Sequence, residues 1–92
     1  MVVLSPADNV GVATRDIAAN AMARALGGTA LEAGEDIPLG HKIALVEIAP
    51  DAAVVRFGVP VAVATRAIPR GALVHVHNVR SRYLDNDEDH YE

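Results

Sequence analysis

Ninety-two residues with a net charge of −4 and no cysteine allow one small domain and exclude a disulfide framework, a thiolate zinc site and a cysteine nucleophile. Half of the residues are apolar, yet Phe57, Tyr83 and Tyr91 are the only aromatics, so the core must be built from Val, Ile, Leu and Ala and is thin. Five acids fall in residues 84–92 and leave a nearly neutral body, which lacks the basic stripe that nucleic-acid binding requires.

The chain opens Met1-Val2-Val3-Leu4-Ser5-Pro6, without a basic segment or an apolar run of signal-peptide length, and no stretch is long enough to span a bilayer. A cytoplasmic protein is expected. Val10-Gly11-Val12-Ala13-Thr14-Arg15-Asp16-Ile17-Ala18 then returns as Val61-Ala62-Val63-Ala64-Thr65-Arg66-Ala67-Ile68-Pro69, with six of nine residues identical. Between the copies, Ile17, Ala18, Ala21, Met22, Ala25 and Leu26 recur at helical intervals. The competing reading is two strands, residues 22–26 and 29–31, joined through Gly27-Gly28. The repeat favours the strands, because it aligns Asn20 with the glycines of the turns described next.

One turn recurs four times, as Ile17-Ala18-Ala19-Asn20, Ile37-Pro38-Leu39-Gly40, Ile48-Ala49-Pro50-Asp51 and Ile68-Pro69-Arg70-Gly71. Proline is expected to fix φ at the second position of a tight turn, and Gly or Asn to supply a positive φ two residues later. Short Val/Ile/Leu-rich runs at residues 43–48, 53–57, 61–64 and 73–77 read as strands, which makes the domain all-β. Residues 1–83 form this domain. Residues 84–92 are an acidic tail, expected to be disordered unless a partner holds it.

His75-Val76-His77-Asn78 is the chemically richest segment. On a strand, His75 and His77 would share a face with Cβ atoms about 6–7 Å apart, close enough to converge on one metal ion or one substrate group. The bland alternative is a solvent-facing or packing pair, and no third ligand or carboxylate stands nearby in sequence. His41 follows Gly40 at a strand entrance, where it either reaches into a cleft or bonds to backbone. Lys42 either meets a substrate carboxylate or is solvated. Asn78 either orients an imidazole or caps the strand end. Arg15 and Arg66 occupy equivalent repeat positions and are expected to bond turn carbonyls. Asp16 and Asp36 precede turn isoleucines and are expected to accept backbone N–H groups.

Taken together, Asp36-Ile37-Pro38-Leu39-Gly40-His41-Lys42, Arg56-Phe57-Gly58, Ala64-Thr65-Arg66-Ala67-Ile68 and His75-Val76-His77-Asn78-Val79 resemble the SAF-type domain of the altronate and galactarate dehydratases over residues 8–82. The resemblance implies a β-clip fold with a long bent hairpin. It also implies the role of small subunit beside a large dehydratase subunit, probing a sugar acid and eliminating water to give a 2-keto-3-deoxy acid. A divalent metal, Fe2+ or Mn2+, shared with the large subunit is implied too. The small subunit of sulfolactate sulfo-lyase is similar, so elimination of sulfite is the alternative, and a non-catalytic module that binds acidic sugars is another. On this resemblance His75, His77 and His41 are the catalytic candidates, Lys42 and Asn78 bind substrate, and His75 and His77 are also candidate metal ligands. A domain with so thin a core should work docked, with an exposed apolar strip on one sheet face, and could self-associate as a homo-oligomer in isolation. Asn20 departs from the family pattern, which usually has glycine there. Asn tolerates a left-handed backbone, so the turn should survive.

Overall fold

The computed structural model describes residues 1–81; the acidic tail lies outside them. Eight short strands and no helix make up the described residues. The strands are β1 (Val10–Val12), β2 (Met22–Arg24), β3 (Ala30–Glu32), β4 (Lys42–Ala44), β5 (Ala53–Arg56), β6 (Val59–Ala64), β7 (Leu73–Val74) and β8 (Val79–Ser81). They form three small antiparallel sheets, ordered β1-β4-β7, β2-β3 and β5-β6-β8. The all-β expectation holds. The alanine-rich segment is the β2–β3 hairpin and not a helix, because Gly27 and Gly28 both take positive φ and turn the chain back after three residues of strand.

The four recurrent turns organise the molecule. Each begins with a buried alanine and reaches its isoleucine four residues later: Ala13 to Ile17, Ala33 to Ile37, Ala44 to Ile48 and Ala64 to Ile68. Ile17 bridges Ile37, and Ile48 bridges Ile68. In each copy the turn closes on the same bond, from Ala21 N–H to Ala18 O, His41 to Pro38, Ala52 to Ala49 and Ala72 to Pro69, at 3.0–3.1 Å. The penultimate turn residue has φ of 73° at Asn20, 85° at Gly40, 70° at Asp51 and 89° at Gly71. Asn20 therefore fills the glycine role as expected. Only Pro50 occupies the second turn position; Pro38 and Pro69 stand first and contribute the accepting carbonyl.

Each isoleucine pair nucleates its own core. Ile17 and Ile37 pack with Ala13, Ala23, Leu31, Ala33 and Ile43, while Ile48 and Ile68 pack with Val54, Ala62, Val74 and Val79 among others. Full burial of an isoleucine is worth about 1.5–3 kcal/mol, so two modest clusters take the place of one large core. Asn9 ties the sheets together: its Nδ2 donates to Ala53 O (2.9 Å) and its Oδ1 accepts from Val55 N–H (2.7 Å). This contact falls where the β5–β6 register slips between Val54 and Val55. Pro60, which has no N–H to give a ladder, pairs with Val55 at that slip.

Asp16 and Asp36 do what their position predicts, and they do it across the pair. Asp16 Oδ1 accepts from Leu39 N–H (2.8 Å), and Asp36 Oδ1 accepts from Ala19 N–H (2.9 Å). The arginines differ from expectation. Arg15 and Arg66 are exposed, and among the described residues neither donates to a turn carbonyl. Arg70 instead reaches across, its Nε donating to Leu45 O (3.1 Å) and Nη2 to Ala30 O (3.5 Å). Among the described residues the exposed large apolar side chains form no strip on one sheet face, since the two that lie on strands, Met22 in β2 and Val59 in β6, belong to different sheets. The most exposed large apolar residues, including Leu26, Leu4, Leu39 and Val76, sit in turns and loops.

Candidate functional site

The strand expected over residues 73–77 stops at Val74, and His75-Val76-His77-Asn78 is a tight turn closed by Asn78 N–H donating to His75 O at 3.0 Å. Asn78 causes it. Its Oδ1 accepts from His75 N–H (3.0 Å) and its Nδ2 donates to Leu73 O (2.9 Å), so a buried side chain takes backbone groups that would otherwise extend a ladder. His75 and His77 are thus the first and third residues of a turn, and the shared strand face inferred for them does not exist. His77 is exposed; His75 is half-buried.

His75 has a different neighbour. Strand β7 pairs with β4 in the register Lys42 to Val74 and Ile43 to Leu73, and one further step along that register sets His41 opposite His75. Their ring centroids are 4.6 Å apart with planes tilted by 59°, within the contact range of cross-strand aromatic pairs. His41 Nδ1 lies 3.4 Å from Leu39 O. A carbonyl only accepts, so this weak contact suits the tautomer with hydrogen on Nδ1 and leaves the Nε2 lone pair to act as base or ligand.

Lys42 is not a solvated lysine: it is 2% exposed, in the central strand β4 with Val12 and Val74 as cross-strand partners. The Asn78 amide is committed to the turn backbone, so its role is to shape the turn that carries His75. Two apolar residues, Leu39 at 61% and Val76 at 56% exposure, stand at the tips of the turns bearing His41 and His75. A separate open hollow of about 400 Å³, lined by Asp16, Ile17, Ala18, Asp36, Ile37 and Pro38, marks the seam between two recurrent turns, and both of its aspartates bond the opposite turn.

Among the described residues, no three His, Cys, Asp or Glu side chains come together to hold a metal ion. His41 and His75 supply at most two of the three or four protein ligands that a divalent transition metal takes, so the described residues do not by themselves complete a metal site. The His41–His75 pairing was hidden in sequence because it depends on the β4–β7 register. The signal that could have found it is the match of two short apolar strands, each flanked by histidine on the side facing the same end.

The chain is a small all-β domain in which two imidazoles, those of His41 and His75, meet at one end of the β1-β4-β7 sheet. The family model of the altronate/galactarate dehydratase SAF domain matches residues 1–82, and the chain belongs to that family. It is 35% identical over 85 residues to altronate dehydratase of Escherichia coli, covering 92% of this chain and 17% of that enzyme. With altronate dehydratase of Bacillus subtilis it shares 38% over 78 residues, 85% of this chain and 16% of the enzyme. It is also 37% identical over 51 residues to the alpha subunit of (2R)-sulfolactate sulfo-lyase of Chromohalobacter salexigens, covering 55% of this chain and 54% of that subunit. The chain therefore spans about a sixth of the altronate dehydratases.

Proposed function

We propose that this chain is the small subunit of a sugar-acid dehydratase and works docked against a large dehydratase polypeptide, with His41 and His75 as the proton-transferring pair. The observation that carries this reading is the contact of these two imidazoles at the end of the β4–β7 ladder, within the two motifs that mark the family. In this reading one imidazole takes the proton from C2 of a 2,3-dihydroxy acid. The other delivers a proton to the hydroxyl leaving from C3, releasing water and an enol that tautomerises to the 2-keto-3-deoxy acid. Lys42, buried beside the pair in sequence, contributes positive charge toward the substrate carboxylate. Iron or manganese belongs to this reading only as a group held chiefly by the large polypeptide.

The sulfo-lyase relative supports the arrangement of subunits, because it is itself named as a subunit. It also keeps a second substrate in view, a 3-sulfo acid that would expel sulfite in place of water. The short strands folding back between recurrent turns suit a β-clip. The test is to mix the purified chain with a large dehydratase polypeptide and Fe2+ or Mn2+, then assay altronate, galactarate and sulfolactate. Turnover that requires both chains supports the proposal. Tight binding of a sugar acid by this chain alone, with no turnover in any mixture, would replace it with a binding module.

A further inference from the structure

Among the described residues strand β7 is an edge strand, paired only with β4, and its outer backbone groups would ordinarily be left to water. At Leu73 they are not. The Leu73 N–H donates to Glu35 Oε2 (3.0 Å), and the Leu73 carbonyl accepts from Asn78 Nδ2 (2.9 Å). Glu35 reaches that edge because the loop behind it lies hard against the chain: Gly34 N–H donates to Gly71 O at 2.8 Å. A Cβ on Gly71 would come within 2.6 Å of Glu32 O, so only glycine allows the approach. Glu35 also belongs to the loop that runs through Asp36 and Ile37 to His41, while Leu73 leads through Val74 to His75. Its carboxylate is a side-chain bond between the segment carrying one histidine and the segment carrying the other.

From this geometry we propose that Glu35 is a positioning residue for the histidine pair. With Asn78 it clamps both backbone groups of Leu73, which fixes where β7 ends and where the His75–Asn78 turn begins, and so holds the His75 ring against His41. Glu35 lies outside the motifs that mark the family, and the bond its carboxylate makes is to the Leu73 backbone. The inference rests on reading His41 and His75 as the working pair, but its test needs no substrate and no partner.

The test is NMR on the full chain: amide exchange at Leu73 and His75, and the ring-to-ring NOE between His41 and His75. Glu35→Ala should speed Leu73 exchange at least tenfold and lower the NOE by half or more. Glu35→Gln, which keeps an acceptor oxygen, should restore both. Glu35→Asp preserves charge and folding while withdrawing the carboxylate by one methylene, so it decides the matter if the alanine variant does not fold. It should give an intermediate loss of both signals. A wild-type ring NOE in either the alanine or the aspartate variant, alongside faster Leu73 exchange, would reduce Glu35 to an edge cap and overturn the proposal. Because these readouts come from the isolated chain, a negative result leaves the dehydratase reading intact, and failure of the turnover assay leaves this one intact.

Discussion

Gly40 and Gly71 occupy the same place in two copies of one turn, and replacing each with alanine separates two costs that usually come together. Their φ angles are 85° and 89°, and a Cβ in a left-handed backbone costs about 1–2 kcal/mol. At Gly40 that is all, because nothing lies within 4 Å of the added Cβ. At Gly71 the Cβ also meets Glu32 O at 2.6 Å and Gly34 N at 3.2 Å. Both are backbone atoms that cannot swing aside, which adds about 1–3 kcal/mol of overpacking. Gly40→Ala should therefore cost about 1–2 kcal/mol, and Gly71→Ala about 2–5 kcal/mol in all. A domain of this size holds roughly 5–14 kcal/mol, and each kcal/mol shifts its Tm by about 4–8 °C. Gly40→Ala should thus melt about 4–16 °C below wild type and Gly71→Ala at least about 4 °C lower still. Urea unfolding at 25 °C measures the difference directly. Equal losses at the two positions would refute the close approach of the 32–34 segment to Gly71, and with it the route by which Glu35 reaches Leu73.

Further outcomes are expected elsewhere. Asn9→Ala removes the bonds to the exposed Ala53 O and the half-buried Val55 N–H at the β5 slip, which water can partly replace, and should cost about 0.5–1.5 kcal/mol in urea unfolding. Phe57 sits at φ 56° beside Gly58 at φ 77°, a hairpin turn that favours Asn-Gly, so Phe57→Asn should raise Tm. Burial pushes the Asp8 carboxyl up, but hydrogen bonds from the Gly58, Phe57, Ser5 and Leu4 backbones outweigh it and hold the pKa below the ordinary value. A depressed folded pKa gives stability that is present above the unfolded value, near about 4, and is lost as pH falls through the folded one. The stability gap between wild type and Asp8→Asn should accordingly be widest near neutrality and close in acid. A gap that widens on acidification would contradict the backbone bonds.

The recurrent turns were legible because their chemistry is local. Ile-Pro-x-Gly encodes its own dihedrals, and Asn20 could be read as a glycine substitute from its tolerance of positive φ. Asp16 and Asp36 were placed correctly on backbone N–H groups, although that each caps the other's turn depends on the Ile17–Ile37 bridge and no local pattern reveals it. The site was less legible. Alternation of Leu73, Val74, His75, Val76 and His77 reads as strand, and one side chain, Asn78, ends it early by bonding Leu73 and His75. Lys42 carries a charge that sequence reasoning sends to solvent, whereas a central strand buries it. Glu35 drew no notice because its task follows from the approach of Gly34 to Gly71, a contact between residues far apart in the chain.

The central claim is that the working pair is His41 with His75 and not His75 with His77. It is tested most directly by assembling His41→Ala, His75→Ala and His77→Ala chains with a large dehydratase polypeptide and measuring kcat for sugar-acid dehydration. Loss of a proton-transferring group costs about 10²–10⁴-fold, so His41→Ala and His75→Ala should each fall in that range while His77→Ala stays within a few-fold of wild type. A collapse of kcat in His77→Ala with His41→Ala near wild type would contradict the account.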